Sequence, residues 1–259
     1  MAVYTAYEMI ADCQSGKPAG WVYFVRQFVP PLRWLLARYG QGEDALRARL
    51  KELQAPGGMA GFKPTGQREL LGELRPEPAL PAGAGPPFDL ATLSEALAET
   101  PALERQNLWF DTMGYDIELT AKLLRQTVET AQGARARGME VLRGKLDSWS
   151  LTMLRDHGPV LGAAARAAKP AETIPFRVYL DVIDGRATWQ TRAEADRAML
   201  QHWYEVDQFC RVREADAAVT ETQPYTEEDD AGAAKPYFNL LGVTPPRPQR
   251  SLFKRLFVG

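Results

Sequence analysis

A run of helix-forming sequence over residues 93–146 constrains the fold more than any other part of this chain. It divides into four helix-sized pieces and lacks the alternation of β-branched residues that is typical of a strand. Pro101 stands before the second piece, where the first turn of a helix tolerates proline, and Gly114 follows it, where a left-handed residue often ends a helix. We therefore predict a short helix over residues 93–98 and a second helix, Ala102–Thr112.

The last two pieces are joined by a very short turn. Asp116 precedes a predicted helix, Ile117–Leu124, and its carboxylate can accept the free amides of the first turn. Thr127 is placed in the same way before a longer predicted helix over residues 128–143. Only residues 125–127 separate these helices, and the second is rich in polar and basic side chains, which is the pattern of a helix-turn-helix.

The run from Gly114 to Arg143, GYDIELTAKLLRQTVETAQGARARGMEVLR, resembles region four of extracytoplasmic-function-type sigma factors. That region typically combines a glycine, a Glu-x-x-Ala helix, a Ser/Thr-capped recognition helix and a closing Arg-x-x-x-x-Leu-Arg. The matching positions, in order and without a gap, are Gly114, Glu118, Ala121, Leu124, Thr127, Thr130, Arg137, Leu142 and Arg143. The resemblance implies a helix-turn-helix that binds double-stranded promoter DNA.

The N-terminal part of the chain is similar, more faintly, to sigma region two. MIADCQSGKPAGWVYFVRQFVPPLRWLLARYG resembles its opening helices, and GFKPTGQRELLGELR resembles its later Phe-containing segment. The acidic stretch by which region two docks on RNA polymerase corresponds to GEDALRARLKEL, so the resemblance implies that Glu43 and Asp44 bind the polymerase core. Basic residues follow them where the family pattern is acidic.

A helix-turn-helix places the N-terminal side chains of its second helix against base edges in the major groove. Here those positions are Thr127, Glu129, Thr130, Gln132 and Gly133, and Gln126 in the turn is added to the DNA-binding set. Gln132 can present a donor and an acceptor to adenine, and Glu129 can accept from cytosine. These are the candidate specificity residues.

Phosphate contacts are assigned to four arginines, because such contacts fix the register of a protein on DNA without reading its sequence. They are Arg125, Arg135, Arg137 and Arg143. Arg125 stands where the family has a turn glycine, and Ala134 stands at a position that is usually basic. With Lys122 these arginines make five basic residues against three acidic ones over residues 117–143. We therefore expect weak DNA affinity in isolation, with specificity supplied by a protein partner.

Composition predicts an all-α, multi-domain chain. We expect a region-two-like helical domain over residues 1–75, in which Pro30 and Pro31 kink or break a helix, and a proline-rich linker over residues 76–88. A region-four-like domain follows over residues 89–150, and then a mainly helical unit over residues 151–218. Residues 219–259 are predicted to be an acidic, disordered segment and an apolar-basic tail, SLFKRLFVG.

Several classes of function have no support in the sequence. The chain has 31 basic and 33 acidic residues, so DNA binding has to come from a local patch. Cys13 and Cys210 are far apart, and no metal-ligand spacing, glycine-rich phosphate loop or nucleophile elbow is present, so we expect no cofactor and no enzymatic activity. No apolar stretch is long enough for a membrane span, and we expect a cytoplasmic protein.

Other residues that carry chemistry have simpler explanations. An aromatic face made by Trp21, Phe24, Phe28 and Trp34 could stack on unpaired bases, but helical spacing favours a core. His157 and His202 are solitary. Asp181 and Asp184 fit a turn at Gly185 better than a carboxylate pair. Two functions remain open: a sigma-type initiation factor, and a sigma-derived interaction or regulatory module that no longer opens promoters and whose C-terminal unit binds another protein.

Overall fold

The computed structural model describes residues 4–63, 65–76, 90–98, 100–156 and 158–246. Every regular element in these ranges is helical, and they contain no β-strand, so the predicted all-α fold is confirmed. The helices are α1 (Ala6–Gln14), α2 (Pro18–Arg38), α3 (Glu43–Gln54), α4 (Gln67–Leu74), α5 (Leu90–Ala96), α6 (Ala102–Thr112), α7 (Ile117–Leu124), α8 (Val128–Lys145), α9 (Ser148–Asp156), α10 (Gly158–Ala167), α11 (Phe176–Ile183), α12 (Trp189–Gln201), α13 (Trp203–Glu221) and α14 (Lys235–Leu241), with a 3-10 turn at Asp229–Ala231.

The contacts divide the chain into two compact units. The first combines Met1–Leu74 with Ala218–Gly259, and the second is Arg75–Ala217. Helices α9 to α12 and residues 203–217 of α13 thus belong to the same unit as α7 and α8, whereas the sequence predicts a separate unit over residues 151–218. Of the predicted linker only Pro76 is described, and the tail over residues 247–259 and His157 also lie outside the described residues.

Helix α2 continues through Pro30 and Pro31. Each proline lacks the N–H that would bond to the carbonyl four residues earlier, which leaves the carbonyls of Arg26 and Gln27 without a helical partner. The backbone N–H of Tyr225 donates to the Arg26 carbonyl at 2.8 Å, and Nε2 of Gln67 donates to the Gln27 carbonyl at 3.0 Å. Contacts from distant parts of the chain therefore replace the two lost hydrogen bonds.

The acidic segment over residues 220–236 is folded, whereas its composition predicts disorder. It contains the 3-10 turn and leads into α14, which packs on α2 and α3. Arg26 forms an ion pair with Asp230 at 2.5 Å, and Nε2 of Gln54 donates to the carbonyl of Leu241 at 2.5 Å. A charge-rich composition predicts a solvated segment, but these long-range partners give the segment a place in the first unit.

The aromatic face of α2 is mainly core, as its spacing indicates. Phe24 and Phe28 are fully buried, their rings stack at a centroid distance of 5.1 Å, and Trp21 is 5% exposed. Trp34 is half-buried under the guanidinium of Arg38. Bases could not reach the buried rings, and this excludes Trp21, Phe24 and Phe28 as a stacking platform.

Both cysteines are buried and free. Asp181 lies near the end of α11 and Asp184 directly precedes Gly185, which has a φ of +74° in the turn, and Arg186 pairs with both carboxylates at 2.8 Å. The turn interpretation of these aspartates is thus confirmed. Among the described helices none combines the length and the apolar character that a membrane crossing requires.

Candidate nucleic-acid interface

Helices α7 and α8 are joined by the predicted short turn over residues 125–127, and short-range contacts set where each helix begins. The Asp116 carboxylate accepts the N–H of Leu119 at 2.7 Å and so begins α7. The Thr127 hydroxyl accepts the N–H of Thr130 at 3.2 Å and so begins α8. Each side chain satisfies one of the amides that the first turn of a helix leaves free. Both predicted caps are confirmed.

Helix α6 completes a three-helix core with α7 and α8. Gly114, with a φ of +81°, lies just after the C-terminal end of α6, where the chain turns toward α7. Ala131, Ala134 and Leu142 of α8 are fully buried, and a Cβ added to Gly138 would lie 2.7 Å from Cδ1 of Leu108. The position of Ala134 does not suit a basic residue, because an arginine there would bring its charge into the core.

The N-terminal end of α8 presents several of the proposed base-reading residues to solvent. Thr127, Glu129, Thr130 and Gln132 are exposed. The backbone N–H of Glu129 and the Thr127 hydroxyl lower the pKa of the Glu129 carboxyl, which favours the anion. At this end of the helix one negative charge therefore accompanies three neutral polar side chains.

Two candidate residues are placed differently from their neighbours. Gln126 is half-buried, and its Oε1 accepts a long hydrogen bond from Nδ2 of Asn107 on α6, at 3.5 Å. Its side chain is thus directed toward α6, and the DNA contact predicted for Gln126 would require this hydrogen bond to break. Gly133 is half-buried, and a Cβ there would lie 3.2 Å from Nη1 of Arg137.

Three of the four phosphate-contact arginines are held by carboxylates of their own unit. Arg125 pairs with Asp216 at 2.7 Å and also donates to the carbonyl of Ile183 at 2.8 Å. The other pairs are Arg135 with Asp111 at 2.6 Å and Arg137 with Glu104 at 2.8 Å. Among the described residues no ion pair involves Arg143, which is exposed. The positive charge available to DNA is therefore smaller than the count of arginines indicates.

Arg125 has an unusual backbone as well as an unusual position. It ends α7 with a φ of +55°, the only positive φ among the described residues other than glycines. A side chain in this left-handed region costs about 1 kcal/mol relative to glycine. The arginine thus occupies a position that favours glycine, and its guanidinium forms the contacts with Asp216 and Ile183.

The acidic side chains of α13 support this unit and were not anticipated. Arg75, whose side chain is 2% exposed, contacts Glu214 at 2.7 Å and Asp207 at 3.5 Å. Arg166 pairs with Asp207 at 3.3 Å, and Tyr115 donates to Glu214. Sequence reasoning missed this cluster because the apolar face of α13 predicts an ordinary core helix. The seven-residue spacing of Asp207 and Glu214 was an available signal, because buried carboxylates require charged partners.

Glu43 and Asp44 lie in the first turn of α3. The Glu43 carboxylate accepts from the hydroxyl of Tyr237 on α14 at 2.8 Å and pairs with Arg47 at 3.3 Å. Asp44 is exposed, and no ion pair joins it to another described residue. Of the two candidate polymerase-binding residues, Asp44 alone is therefore available without breaking a contact.

A groove separates α8 from α9 and the end of α6, and we call it the α8 groove. Its volume is about 680 Å³. Its walls include Gln132, Arg135, Met139 and Arg143 of α8, and α9 contributes Leu151. Part of α8 thus forms one wall of this groove.

Comparisons of the chain with protein-family models, with curated proteins and with solved structures give no match. Any assignment of function therefore depends on the residues of this chain and on their arrangement. The two features that bear on it are the capped α7–α8 pair and the charges around it.

Proposed function

We propose that this chain is a sigma-like transcription protein that binds double-stranded DNA through α7 and α8, with α8 as the recognition helix. The observation that carries the proposal is the capped helix pair whose second helix presents Glu129, Thr130 and Gln132 at an exposed N-terminal end. In this geometry the N-terminal turns of the second helix can enter a major groove. Gln132 and Glu129 are the residues we assign to base recognition.

The affinity for DNA is expected to be low. Arg125, Arg135 and Arg137 each contact a carboxylate, so the field that phosphates experience from them is reduced. Arg143 is the arginine of α8 that is best able to contact a phosphate. Such a surface supports weak binding that depends strongly on salt, and specificity then requires the polymerase core or another partner.

A fluorescence-anisotropy titration of the full chain against a labelled duplex tests this proposal. We expect a Kd of about 10–100 µM at physiological salt, and tighter binding at about 50 mM salt. Arg143→Gln should weaken binding and lower the slope of log affinity against log salt by about one. Arg197→Gln is the matched control, because Arg197 is an exposed arginine of α12.

The two variants make the outcome decisive. Equal losses for Arg143→Gln and Arg197→Gln would show only a general effect of net charge and would contradict binding through α8. Nanomolar binding of the isolated chain at physiological salt would contradict the low affinity that the ion pairs imply.

A sigma-derived interaction or regulatory module is the second candidate. It is favoured by Glu43, whose carboxylate is engaged by Tyr237 and Arg47 although the family uses this stretch to dock on polymerase. Retention of the full chain on immobilised polymerase core separates the two functions. Retention that is lost in Asp44→Asn and kept in Asp181→Asn supports the initiation function, and no retention supports the module.

A further inference from the structure

The α8 groove has the size of a small-molecule site. Its volume of about 680 Å³ lies within the range of cavities that hold compact organic ligands. It is a half-open groove whose walls come from three helices of one unit, α6, α8 and α9. Because helices and not loops form its walls, a ligand would meet a preformed surface.

The groove has an apolar side. Met139 and Ala136 of α8 face it, and Leu151 and Leu154 of α9 lie opposite. Leu154 is 4% exposed, Met139 and Leu151 are half-buried, and Ala136 is exposed at the rim, so the apolar side is buried deepest at Leu154. Such a wall fits an alkyl chain or an aromatic ring.

The described polar residues that line the groove carry one uncompensated positive charge. Arg135 lies 2.6 Å from Asp111, so these two wall residues neutralise each other. Arg143 also lines the groove, and no described residue forms an ion pair with it. The side chain of Gln132 adds an amide that can donate a hydrogen bond.

We propose that the α8 groove binds an amphipathic small molecule that carries a single anionic group, such as a medium-chain carboxylate. The carboxylate pairs with Arg143 at one end of the groove, and the apolar body lies along α8 against Met139 and against Leu151 of α9. The negative charge of the ligand balances the uncompensated positive charge of Arg143, whereas a cationic ligand would leave two uncompensated positive charges in the groove. The proposal goes beyond DNA binding and does not require it.

Isothermal titration of the full chain with decanoate tests the proposal, and decanol and decylamine serve as uncharged and cationic probes of equal chain length. We expect saturable binding of decanoate with weaker binding of the other two. Arg143→Gln should weaken decanoate binding by about tenfold, because a charge-assisted contact is lost, and leave decanol binding unchanged. Arg197→Gln should behave as the wild type.

A second variant tests the position of the apolar body without altering charge. Ala136→Trp fills the groove and should abolish the binding of decanoate, while the thermal unfolding of the variant shows that it folds. Decanoate binding that is unaffected by both Arg143→Gln and Ala136→Trp would overturn the proposal. Absence of binding by decanoate together with binding to vesicles of phosphatidylglycerol would also overturn it, because the surface would then recognise a membrane. No DNA is present in these titrations, so their failure is distinct from failure of the proposed function.

Discussion

The guanidinium of Arg125, in the turn between α7 and α8, lies 2.7 Å from the carboxylate of Asp216 on α13. The two residues are far apart in sequence but belong to the same compact unit. The Asp216 side chain is 12% exposed and that of Arg125 is 52% exposed, so the pair is only partly screened by solvent. An arginine that we propose to contact phosphate is therefore paired with a carboxylate of α13, outside the α7–α8 pair.

Release of Arg125 should strengthen DNA binding. In Asp216→Asn the guanidinium loses its counter-charge, and we expect tighter binding to a random duplex with a salt slope steeper by about one. The free energy of unfolding should fall by at most about 1 kcal/mol, as for other partly exposed pairs. Anisotropy titrations and urea unfolding measure the two effects.

Asp181→Asn provides the control for this change. It removes a carboxylate that pairs with Arg177 and Arg186 on the same unit, and so alters the net charge equally without touching Arg125. Equal gains in DNA affinity for the two variants would refute a specific role of Asp216.

The backbone at Arg125 makes a separate prediction. Arg125→Gly and Arg125→Ala both remove the contacts with Asp216 and Ile183, but only glycine adopts a φ of +55° without strain. The glycine variant should therefore be more stable than the alanine variant by about 1 kcal/mol in urea unfolding. An alanine variant as stable as the glycine variant would show that the positive φ is not maintained in solution.

The parts of this unit that follow from sequence are those set by neighbours in the chain. The bounds of α6 and α7 are as predicted, and α8 begins at the predicted residue, because Gly114, Asp116 and Thr127 act on amides within three or four residues. The orientation of Gln126 and the partner of Arg125 depend on α6 and α13. Helical periodicity carries no information about such contacts.

In the first unit, too, local features follow from the sequence and contacts with distant residues do not. The prolines of α2 predict two free carbonyls, but their partners, Tyr225 and Gln67, lie far along the chain. Composition predicts disorder over residues 220–236, since acidic residues and proline are frequent there. The ion pair between Arg26 and Asp230 could not be anticipated without knowing that this segment returns to α2.

The replacement of the lost helical bond by Gln67 can be tested by a double-mutant cycle. Gln67→Ala removes the donor to the Gln27 carbonyl and should cost about 1 kcal/mol. In the Pro31→Ala background the residue at 31 regains an N–H for the same carbonyl, so Gln67→Ala should cost less. Urea unfolding of the four proteins measures the coupling, and additive effects would contradict this account of the carbonyl.

Glu205 should make stability depend on pH. Burial raises the pKa of its carboxyl, which accepts from Tyr179 at 2.9 Å and from the N–H of Ile174 at 3.0 Å. The folded state therefore keeps this proton to a higher pH than the unfolded state does. The contribution of Glu205 to the free energy of unfolding is fully present below the pKa of the unfolded state and is lost as the pH rises through the pKa of the folded state.

Glu205→Gln removes this titration. In urea unfolding at a series of pH values, the free energy of unfolding of the variant should fall less with rising pH above the ordinary range of a glutamate than that of the wild type. Glu194→Gln, an exposed substitution on α12, should follow the wild type. The same pH dependence in Glu205→Gln and the wild type would show that Glu205 does not titrate differently on folding.

Site-directed photocrosslinking tests the central claim most directly. A photoreactive amino acid at Gln132, on the exposed face of α8, should crosslink to duplex DNA in the presence of polymerase core, and the same group at Glu194 on α12 should not. Crosslinks from position 132 alone are the result we predict. No crosslink from position 132, or equal crosslinking from both positions, would contradict DNA recognition by α8.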